Sequence, residues 1–281
     1  MSLAEIEILD EDLLLFLGAI KKKSDYDFTN YSMKSLKRRV LKIMSDNKLS
    51  ISELTHSIRT NPVFLEKIVK NITVNTTELF RDPKIWLSIK NEILPPILHN
   101  NIIRIWHPGC STGQEVYSMM IILNELGVLA KSEIYASDIN ADVLDIAKTG
   151  IFKYRYNQHY IENFDAVVDR NIDNSTSHDK YFTLDKENNT LKMCPFLIQK
   201  PIFKKIDLVK DGNLFKVKFD LIVCRNVIIY FNYELQNKIF DMFYQNLDNK
   251  GCMILGLHES VIGPYATFFE KKNHVYYKRI V

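Results

Sequence analysis

Residues 102–126 read IIRIWHPGCSTGQEVYSMMIILNEL, and this stretch decides the fold. The β-branched and aromatic run before Pro108 predicts a buried strand, and the glycines after it predict a sharp turn. From Gln114 onward, apolar residues recur at steps of three and four, as on one face of a helix. A strand, a glycine turn and a helix form the nucleotide-binding unit of doubly wound α/β sheets. We therefore predict a ligand beside Gly109, where the backbone can approach it closely.

Residues 109–113 also fit the G-x-S-x-G pattern of α/β-hydrolases, in which Ser111 would be the nucleophile. A hydrolase needs an acid and then a histidine further along the chain. The next predicted strand, residues 133–136, instead ends in an acid at Asp138, and Ile139 and Asn140 follow it. A carboxylate at the tip of the second strand can accept hydrogen bonds from both hydroxyls of a ribose. The sequence therefore favours a nucleoside ligand, with the hydrolase as the alternative.

The composition is that of an ordinary globular protein. The chain has 281 residues, of which 46% are hydrophobic and 25% charged, which suits one large domain or two moderate ones. The net charge of +3 is too small to predict nucleic-acid binding. The cysteines lie singly, so we expect neither a zinc site nor a disulfide framework, and we expect a reducing cytoplasm.

The first apolar run, residues 13–20, is too short to span a bilayer. Acidic residues precede this run and three lysines follow it, which reverses the charge order of a signal peptide. We therefore expect no export and no direct insertion into a membrane.

Residues 1–75 predict helices joined by short polar segments. In the helix predicted over residues 31–44, the apolar side chains share one stripe. Basic side chains share another face: Lys34, Lys37, Arg38 and Lys42. Such a face is either an ordinary solvated surface or a docking site for an acidic partner, and the residues alone leave both interpretations open.

A polar connection follows at residues 71–83, and within it Arg81 stands beside Phe80. A guanidinium group matches a carboxylate with two parallel hydrogen bonds, which would suit the carboxylate of a ligand. An ion pair of Arg81 with Asp82 or Glu78 would explain the same arginine without a ligand. Both explanations stay open at this point.

The pattern changes in the second half of the chain. Residues from about 157 to 200 are first acidic and rich in asparagine, and then form two short runs, 181–184 and 190–193, around a polar turn. These runs predict a hairpin in an insertion on the main sheet. The later predicted elements are two strands, a helix and two closing strands, at residues 203–208, 219–224, 233–247, 252–257 and 274–281.

Strands that alternate with helices predict a parallel sheet. We expect the closing pair to be antiparallel, because no full helix separates its strands. In such a sheet, ligands bind outside the carboxyl ends of the strands. Polar segments that follow those ends should therefore share one edge: residues 109–113, Asp138, Asp207, Arg225 and Asn226.

Four motifs now stand in the order of a known family: N-x-T-x-x-F-R at residues 75–81, STGQEVYS at 111–118, ASDI at 136–139 and CRNVIIYF at 224–231. In these motifs the chain resembles the CheR family of chemotaxis receptor methyltransferases. Members of that family transfer a methyl group from S-adenosylmethionine to receptor glutamates, giving methyl esters and S-adenosylhomocysteine.

The resemblance implies an α/β fold, namely the Rossmann-like, seven-stranded fold of S-adenosylmethionine-dependent methyltransferases. It implies an all-helical N-terminal domain at residues 1–75, and a linker and helix at 76–100. The methyltransferase domain would cover 101–281, with a small antiparallel β-subdomain inserted at about 157–200.

The resemblance also implies roles for individual residues. Arg81 would bind the carboxylate of the cofactor's methionine part, Glu115 would bind its amino group, and Asp138 would hold the ribose. Tyr230 would lie close to the transferred methyl group, so that Arg81 and Tyr230 would orient the reactants. The other implied cofactor contacts are Asn75, Thr77, Gly109, Asp207, Leu208, Arg225 and Asn226. The resemblance implies no metal.

The implied partners are the cytoplasmic helices of methyl-accepting chemotaxis receptors, since a segment rich in glutamate would suit the basic helix. Members that grip a receptor's tether peptide tend to have a glycine in a loop of the β-subdomain. Residues 183–190 contain none, which argues against tether binding. The family's Gly-His-Ser-Glu motif is here GLHES at residues 256–260, which leaves any role of His258 open. A noncatalytic methyltransferase-like module stays an alternative, as does the hydrolase.

Overall fold

The structure is a computed structural model, and it describes residues 8–73, 75–153, 159–168 and 178–280. The chain divides into two compact units. The helical unit consists of residues 1–74 and 227–239, and the sheet unit consists of residues 75–226 and 240–281.

The N-terminal helices are α1 Asp10–Lys23, α2 Met33–Asn47, α3 Ile51–Thr60 and α4 Pro62–Ile72. Ser50 and Glu53 form a capping box that starts α3, and Pro62 occupies the first turn of α4. The apolar stripe predicted for α2 is buried, at Leu36, Val40 and Ile43. The predicted all-helical region is therefore confirmed.

Residues 227–239 belong to the helical unit although they follow β-strands in the chain. The amide of Ser32 donates a hydrogen bond of 2.8 Å to the carbonyl of Tyr230. The rings of Tyr31 and Phe231 pack edge to face, with their centroids 5.0 Å apart. Backbone and aromatic contacts therefore join this segment to the N-terminal helices.

The sheet unit contains ten strands among its described residues: β1 Ile103–Pro108, β2 Ser132–Asp138, β3 Ile151–Lys153, β4 Phe182–Asp185, β5 Thr190–Met193, β6 Ile202–Lys205, β7 Phe219–Cys224, β8 Leu247–Leu255, β9 Phe269–Lys272 and β10 Val275–Lys278. The other α-helices among the described residues are α5 Pro83–Ser88, which continues as a π-helix Ile89–Ile93, then α6 Gln114–Glu125, α7 Ala141–Thr149, α8 Tyr160–Val167, α9 Pro195–Ile198 and α10 Tyr233–Asn246.

The main sheet has seven strands in the order β6-β2-β1-β7-β8-β10-β9. The first five pair in parallel, and β10 pairs antiparallel with both β8 and β9. The predicted Rossmann-like sheet with an antiparallel end is therefore confirmed. Sequence patterns missed β9, because this four-residue strand is mostly charged and exposed.

A second sheet has three antiparallel strands in the order β3-β5-β4. The β4–β5 hairpin confirms the predicted hairpin, and β3 supplies a third strand from residues that precede the predicted insertion. Parts of the predicted segments, residues 1–7, 74, 157–158, 169–177 and 281, lie outside the described residues. In the ranges that are described, no helix has the length and apolar character needed to cross a membrane.

Candidate active site

The predicted site residues of the sheet unit meet at one edge of the main sheet. Gly109 directly follows β1, and Asp138 is the last residue of β2. Asp207 lies just beyond β6, and Arg225 directly follows β7. These are the carboxyl ends of neighbouring parallel strands, where the sequence predicted them.

The glycine turn is held by backbone hydrogen bonds and by close packing. The amides of Gly109 and Cys110 both donate to the carbonyl of Ser137, at 2.7 and 2.9 Å. Gly113 has a φ of +91°, and a Cβ there would lie 2.9 Å from the Cβ of Ala147. A larger residue at position 113 would therefore disturb the start of α6.

Asp138 is a buried carboxylate, with 8% of its surface exposed. Its two oxygens accept hydrogen bonds from the amides of Ser111 at 2.8 Å and Asn140 at 2.9 Å. Burial raises the pKa of this carboxyl, against the lowering effect of the backbone hydrogen bonds. Each oxygen keeps a further lone pair, so the group can accept from two neighbouring hydroxyls.

Asp207 and Leu208 lie in the turn after β6, beside Asp138. The amide of Ile206 donates to the carbonyl of Asp138 at 3.0 Å, which joins this turn to the end of β2. The carboxylate of Asp207 accepts from the amide of Val209 at 2.8 Å, and Leu208 is half-buried. The Asp207 side chain therefore shapes the turn itself.

Arg225 is the most deeply buried charged group of the site, with 1% of its side chain exposed. Its Nη1 donates to Oε2 of Glu115 at 3.3 Å, and its Nη2 donates to Oδ2 of Asp82 at 2.7 Å. We call Arg225, Glu115 and Asp82 the Arg225 cluster. The resemblance implied a cofactor contact for Arg225. In the structure, the terminal nitrogens of Arg225 bind Glu115 and Asp82, and the contact of Arg225 with the cofactor stays a prediction.

The turn that carries Arg81 has an unusual backbone. Phe80 and Asp82 on either side have φ values of 51° and 57°, in the left-handed region that non-glycine residues rarely adopt. The amide of Phe80 donates to the buried Oγ of Ser118 at 2.8 Å, and the carbonyl of Arg81 accepts from Nε1 of Trp86 at 2.9 Å. Specific contacts therefore hold a strained turn in place, as is common at functional sites.

The side chain of Arg81 differs from that of Arg225. Within the described ranges, its guanidinium forms neither a hydrogen bond nor an ion pair with the protein. The alternative pairing of Arg81 with Asp82 or Glu78 is not formed among these residues, and Asp82 binds Arg225 instead. The donors of Arg81 are therefore available to a carboxylate from outside the protein.

Glu115 lies in the first turn of α6, where the helix dipole favours a carboxylate. Its Oε1 is 3.1 Å from Nδ1 of His107, whose side chain is fully buried. Glu115 keeps 15% of its side chain exposed. One carboxylate thus contacts both an imidazole and the Arg225 guanidinium, and sequence analysis assigned no part to His107.

Glu259, which the sequence patterns did not identify, is a buried carboxylate that fixes Asn226. Its Oε2 accepts from the amide of Asn226 at 2.8 Å and from the amide of Gly256 at 2.6 Å. Asn226 has a φ of 61°, so this contact supports a left-handed residue directly after Arg225. A polar motif around residue 258 was visible in the sequence, but it did not show that Glu259 is buried and His258 exposed.

Ser111 does not have the surroundings of a nucleophile. Its Oγ is buried and has no hydrogen-bond partner among the described residues. The Ser–His contact that a serine hydrolase needs is therefore absent from that part of the chain. A buried hydroxyl without a partner, on the residue whose amide binds Asp138, instead suits a polar ligand at this edge of the sheet.

The remaining predicted cofactor residues lie in two other segments of the chain. Asn75 and Thr77 are half-buried in the irregular segment that leads to Arg81. Tyr230 belongs to the helical unit, where its carbonyl accepts the hydrogen bond from Ser32. The role of Tyr230 at the methyl group stays a prediction.

The basic face of α2, consisting of Lys34, Lys37, Arg38 and Lys42, also belongs to the helical unit. Three of these side chains are exposed. Lys37 is half-buried, and its Nζ pairs with Oδ1 of Asp10 at 2.6 Å. The face therefore offers three exposed cations and one that is engaged within the protein.

The described residues fit S-adenosylmethionine. Asp138 suits the two ribose hydroxyls, while Arg81 and Glu115 suit the carboxylate and the ammonium group of an amino acid. The Ser111 hydroxyl, which has no partner among the described residues, is a further polar group that a ligand at this edge of the sheet could satisfy. No group of three or more metal-ligating side chains occurs in the ranges that the structure describes.

Comparison with protein families gives two matches. The family described as "CheR methyltransferase, SAM binding domain" matches residues 75–276. The family described as "CheR methyltransferase, all-alpha domain" matches residues 11–73.

Three similar proteins each cover between 73% and 96% of this chain. "Putative methyltransferase Cher3" of Pseudomonas putida is 35% identical over 93% of this chain and 93% of its own length. "Chemotaxis protein methyltransferase" of Listeria monocytogenes is 24% identical over 96% of this chain and 97% of its own length. The protein of that name from Borreliella burgdorferi is 31% identical over 73% of this chain and 71% of its own length.

Proposed function

This chain belongs to the CheR methyltransferase family, and we propose that it is a protein-glutamate O-methyltransferase acting on chemotaxis receptors. Its cofactor is S-adenosylmethionine, and the products would be glutamate methyl esters and S-adenosylhomocysteine. Relatives named chemotaxis protein methyltransferase support receptors as the substrates. The observation that carries the proposal is the guanidinium of Arg81, which has no partner among the described residues and lies in the same unit as Asp138 and Glu115.

Each assignment to the cofactor pairs complementary chemical groups. Arg81 binds the carboxylate of the methionine part, Glu115 binds its ammonium group, and Asp138 binds the ribose hydroxyls. The family motifs add further contacts, which we assign to Asn75, Thr77, Gly109, Asp207, Leu208, Arg225 and Asn226.

The substrate needs little chemical help from the protein. A glutamate side chain has a reference pKa of about 4.3, so near pH 7 it is already an anionic nucleophile and needs no general base. Bound S-adenosylmethionine supplies a reactive methyl group and a neutral leaving group. The residues of the chain therefore act by alignment and exclusion of water, and alignment can contribute about 7–11 kcal/mol. We assign Arg81 and Tyr230 to orientation rather than to proton transfer.

The basic face of α2 supports an acidic partner. Lys34, Arg38 and Lys42 are exposed, so they can attract a glutamate-rich helix before contact is made. We infer that the partners are the cytoplasmic helices of methyl-accepting receptors, and this substrate implies a cytoplasmic location. Residues 183–190 contain no glycine, and we propose no tether-peptide site there.

Incubation with methyl-labelled S-adenosylmethionine and cytoplasmic receptor fragments tests the proposal. We expect label that base releases as methanol, because methyl esters are hydrolysed by base. A fragment whose helix glutamates are replaced by alanine is the control and should take up no label. Base-stable label would contradict glutamate as the acceptor, and no label on any receptor would favour the noncatalytic module.

A further inference from the structure

His107 is a buried polar side chain that has no role in the proposed methyl transfer. It lies on β1, two residues before the glycine turn, and its side chain is fully buried. Its Nδ1 is 3.1 Å from Oε1 of Glu115. The glutamate that we assign to the cofactor's ammonium group is therefore supported from inside the protein.

The direction of this hydrogen bond follows from its chemistry. Carboxylate oxygens accept hydrogen bonds, so Nδ1 of His107 carries the proton and donates it to Glu115. Nε2 of His107 is buried and has no partner among the residues that the structure describes. Within that part of the chain, the polar contact of this imidazole is thus with Glu115.

Arg225 alone does not fix the Glu115 carboxylate. Its Nη2 lies 2.7 Å from Asp82, whereas its Nη1 lies 3.3 Å from Glu115. A separation of 3.3 Å is long for a charge-assisted hydrogen bond, which is usually about 2.7–2.9 Å. The guanidinium therefore binds Asp82 more closely than it binds Oε2 of Glu115. His107 contacts the other oxygen, Oε1, at 3.1 Å, so that each oxygen of Glu115 has one contact.

We propose that His107 is a positioning residue, whose Nδ1–H holds the Glu115 carboxylate in the orientation that receives the cofactor's ammonium group. This inference rests on the assignment of Glu115 in the proposed function. It gives His107 no contact with the cofactor and no step in methyl transfer. An imidazole suits this task, because its ring is planar and its Nδ1–H donates in one fixed direction.

Two ligands separate positioning from general structural support. S-adenosylhomocysteine carries the amino-acid group, whereas 5′-methylthioadenosine carries the nucleoside without it. In His107→Leu, we expect calorimetry to show about tenfold weaker binding of S-adenosylhomocysteine and unchanged binding of methylthioadenosine. His107→Asn keeps an N–H donor near the position of Nδ1, so it should recover most of the affinity.

Three results would overturn the proposal. The first is an equal loss of affinity for both ligands, which would indicate a structural role. The second is unchanged affinity for S-adenosylhomocysteine in His107→Leu. The third is an undiminished effect of His107→Leu in a Glu115→Gln background, because a residue that acts through Glu115 should add little once that carboxylate is gone.

His107→Gln provides a further comparison if His107→Leu does not fold. The amide donor of Gln lies near the position of Nε2, whereas that of Asn lies near the position of Nδ1. His107→Asn should therefore bind S-adenosylhomocysteine more tightly than His107→Gln does. The reverse order would overturn the proposal.

Binding measurements keep this test separate from the test of the proposed function. A failure of receptor methylation would leave the expected affinities unchanged. If the wild-type protein bound S-adenosylhomocysteine no more tightly than methylthioadenosine, the ammonium contact of Glu115 would be wrong, and the role of His107 with it.

Discussion

The Arg225 cluster and the basic face of α2 contain similar charged groups in opposite environments. Arg225 is 1% exposed and pairs with two carboxylates, whereas three of the four cations on α2 are exposed. Buried charges are costly to leave unpaired, while exposed charges are screened by salt and act mainly on encounter. We therefore expect the cluster to control stability and site geometry, and the basic face to control the rate of partner binding.

The largest effect should come from Arg225→Met, which leaves Glu115 and Asp82 without their cation. We expect the free energy of unfolding to fall by about 3 kcal/mol, measured by urea denaturation. The matched control is Arg104→Met, because the pair of Arg104 with Glu133 is 35% and 37% exposed. The control should cost less than about 1 kcal/mol. If both variants lost the same unfolding free energy, burial would not explain any difference in stability between the two ion pairs.

Arg81→Ala should affect ligand binding and leave stability nearly unchanged. A lost charged hydrogen bond to a ligand corresponds to about 10- to 100-fold weaker binding of S-adenosylhomocysteine, measured by calorimetry. The free energy of unfolding should change by less than about 0.5 kcal/mol, because the Arg81 guanidinium has no partner among the described residues. Lys84→Ala, an exposed neighbour, is the control. Unchanged affinity would refute the role of Arg81.

The basic face should act on rate. Reversal of Lys37, Arg38 and Lys42 to Glu should slow receptor methylation about tenfold at low ionic strength, because steering by charge is lost. The difference should shrink as salt is added, since exposed charges are screened. The affinity for S-adenosylhomocysteine, measured by calorimetry, should stay at the wild-type value.

The ion pair within this face sharpens the experiment. Lys37 binds Asp10, so the reversal of Arg38 and Lys42 without Lys37 should keep most of the effect. Reversal of Lys22 and Arg59, exposed residues of α1 and α3, changes the charge of the same unit equally and is the control. Equal slowing by the control pair, or no slowing at low salt, would return the face to an ordinary solvated surface.

Tyr230→Phe tests a role in turnover for a residue of the helical unit. We expect about fivefold slower methylation, the effect of losing one orienting hydrogen bond. The affinity for S-adenosylhomocysteine should change little, because that ligand lacks the methyl group. Tyr233→Phe, at an exposed tyrosine nearby in the chain, is the control. A wild-type rate in Tyr230→Phe would remove this hydroxyl from the mechanism.

The smallest effect concerns Asp27, an acid of the helical unit that accepts hydrogen bonds from Lys21 and Thr29. Burial acts to raise the pKa of its carboxyl, but these bonds prevail and lower the pKa from 3.8 to about 2. An acid with a lowered pKa stabilises the fold above its unfolded pKa, and this contribution is lost as pH falls toward the folded value.

Asp27→Asn should therefore cost about 1 kcal/mol of unfolding free energy at neutral pH. The difference from the wild-type protein should shrink as pH falls from about 4 to about 2, which denaturation at several pH values can follow. Asp25→Asn, at an exposed position, is the control. A difference that grew toward low pH would contradict the sign of the shift.

The sequence predicted the fold where one pattern had one physical solution. The run before Pro108 and the periodic residues of α6 could bury their apolar faces in a strand and a helix, and they do. Since parallel strands share an edge at their carboxyl ends, Asp138 and Arg225 could be assigned to one edge of the sheet from the sequence alone.

The choice of partners among charged residues could not be predicted in this way. Because Arg81 and Asp82 are adjacent in the sequence, an ion pair between them is the simplest prediction. In the structure, Asp82 pairs instead with Arg225, which is distant in the sequence. The left-handed conformations at Phe80 and Asp82 redirect the chain at this turn, and tertiary packing rather than local preference imposes them. The contact between Glu259 and Asn226 has the same character, because burial of a glutamate depends on elements far away in the chain.

The return of residues 227–239 to the N-terminal helices has a consequence for protein engineering. The two family matches meet near residue 74, and this boundary suggests that the N-terminal helices could be exchanged as a separate domain. A fragment that ended there would lose the carbonyl that receives the Ser32 amide and the ring that packs on Tyr31. Chimaeras between relatives should therefore exchange both stretches together, since swapping the first alone would bring mismatched surfaces together.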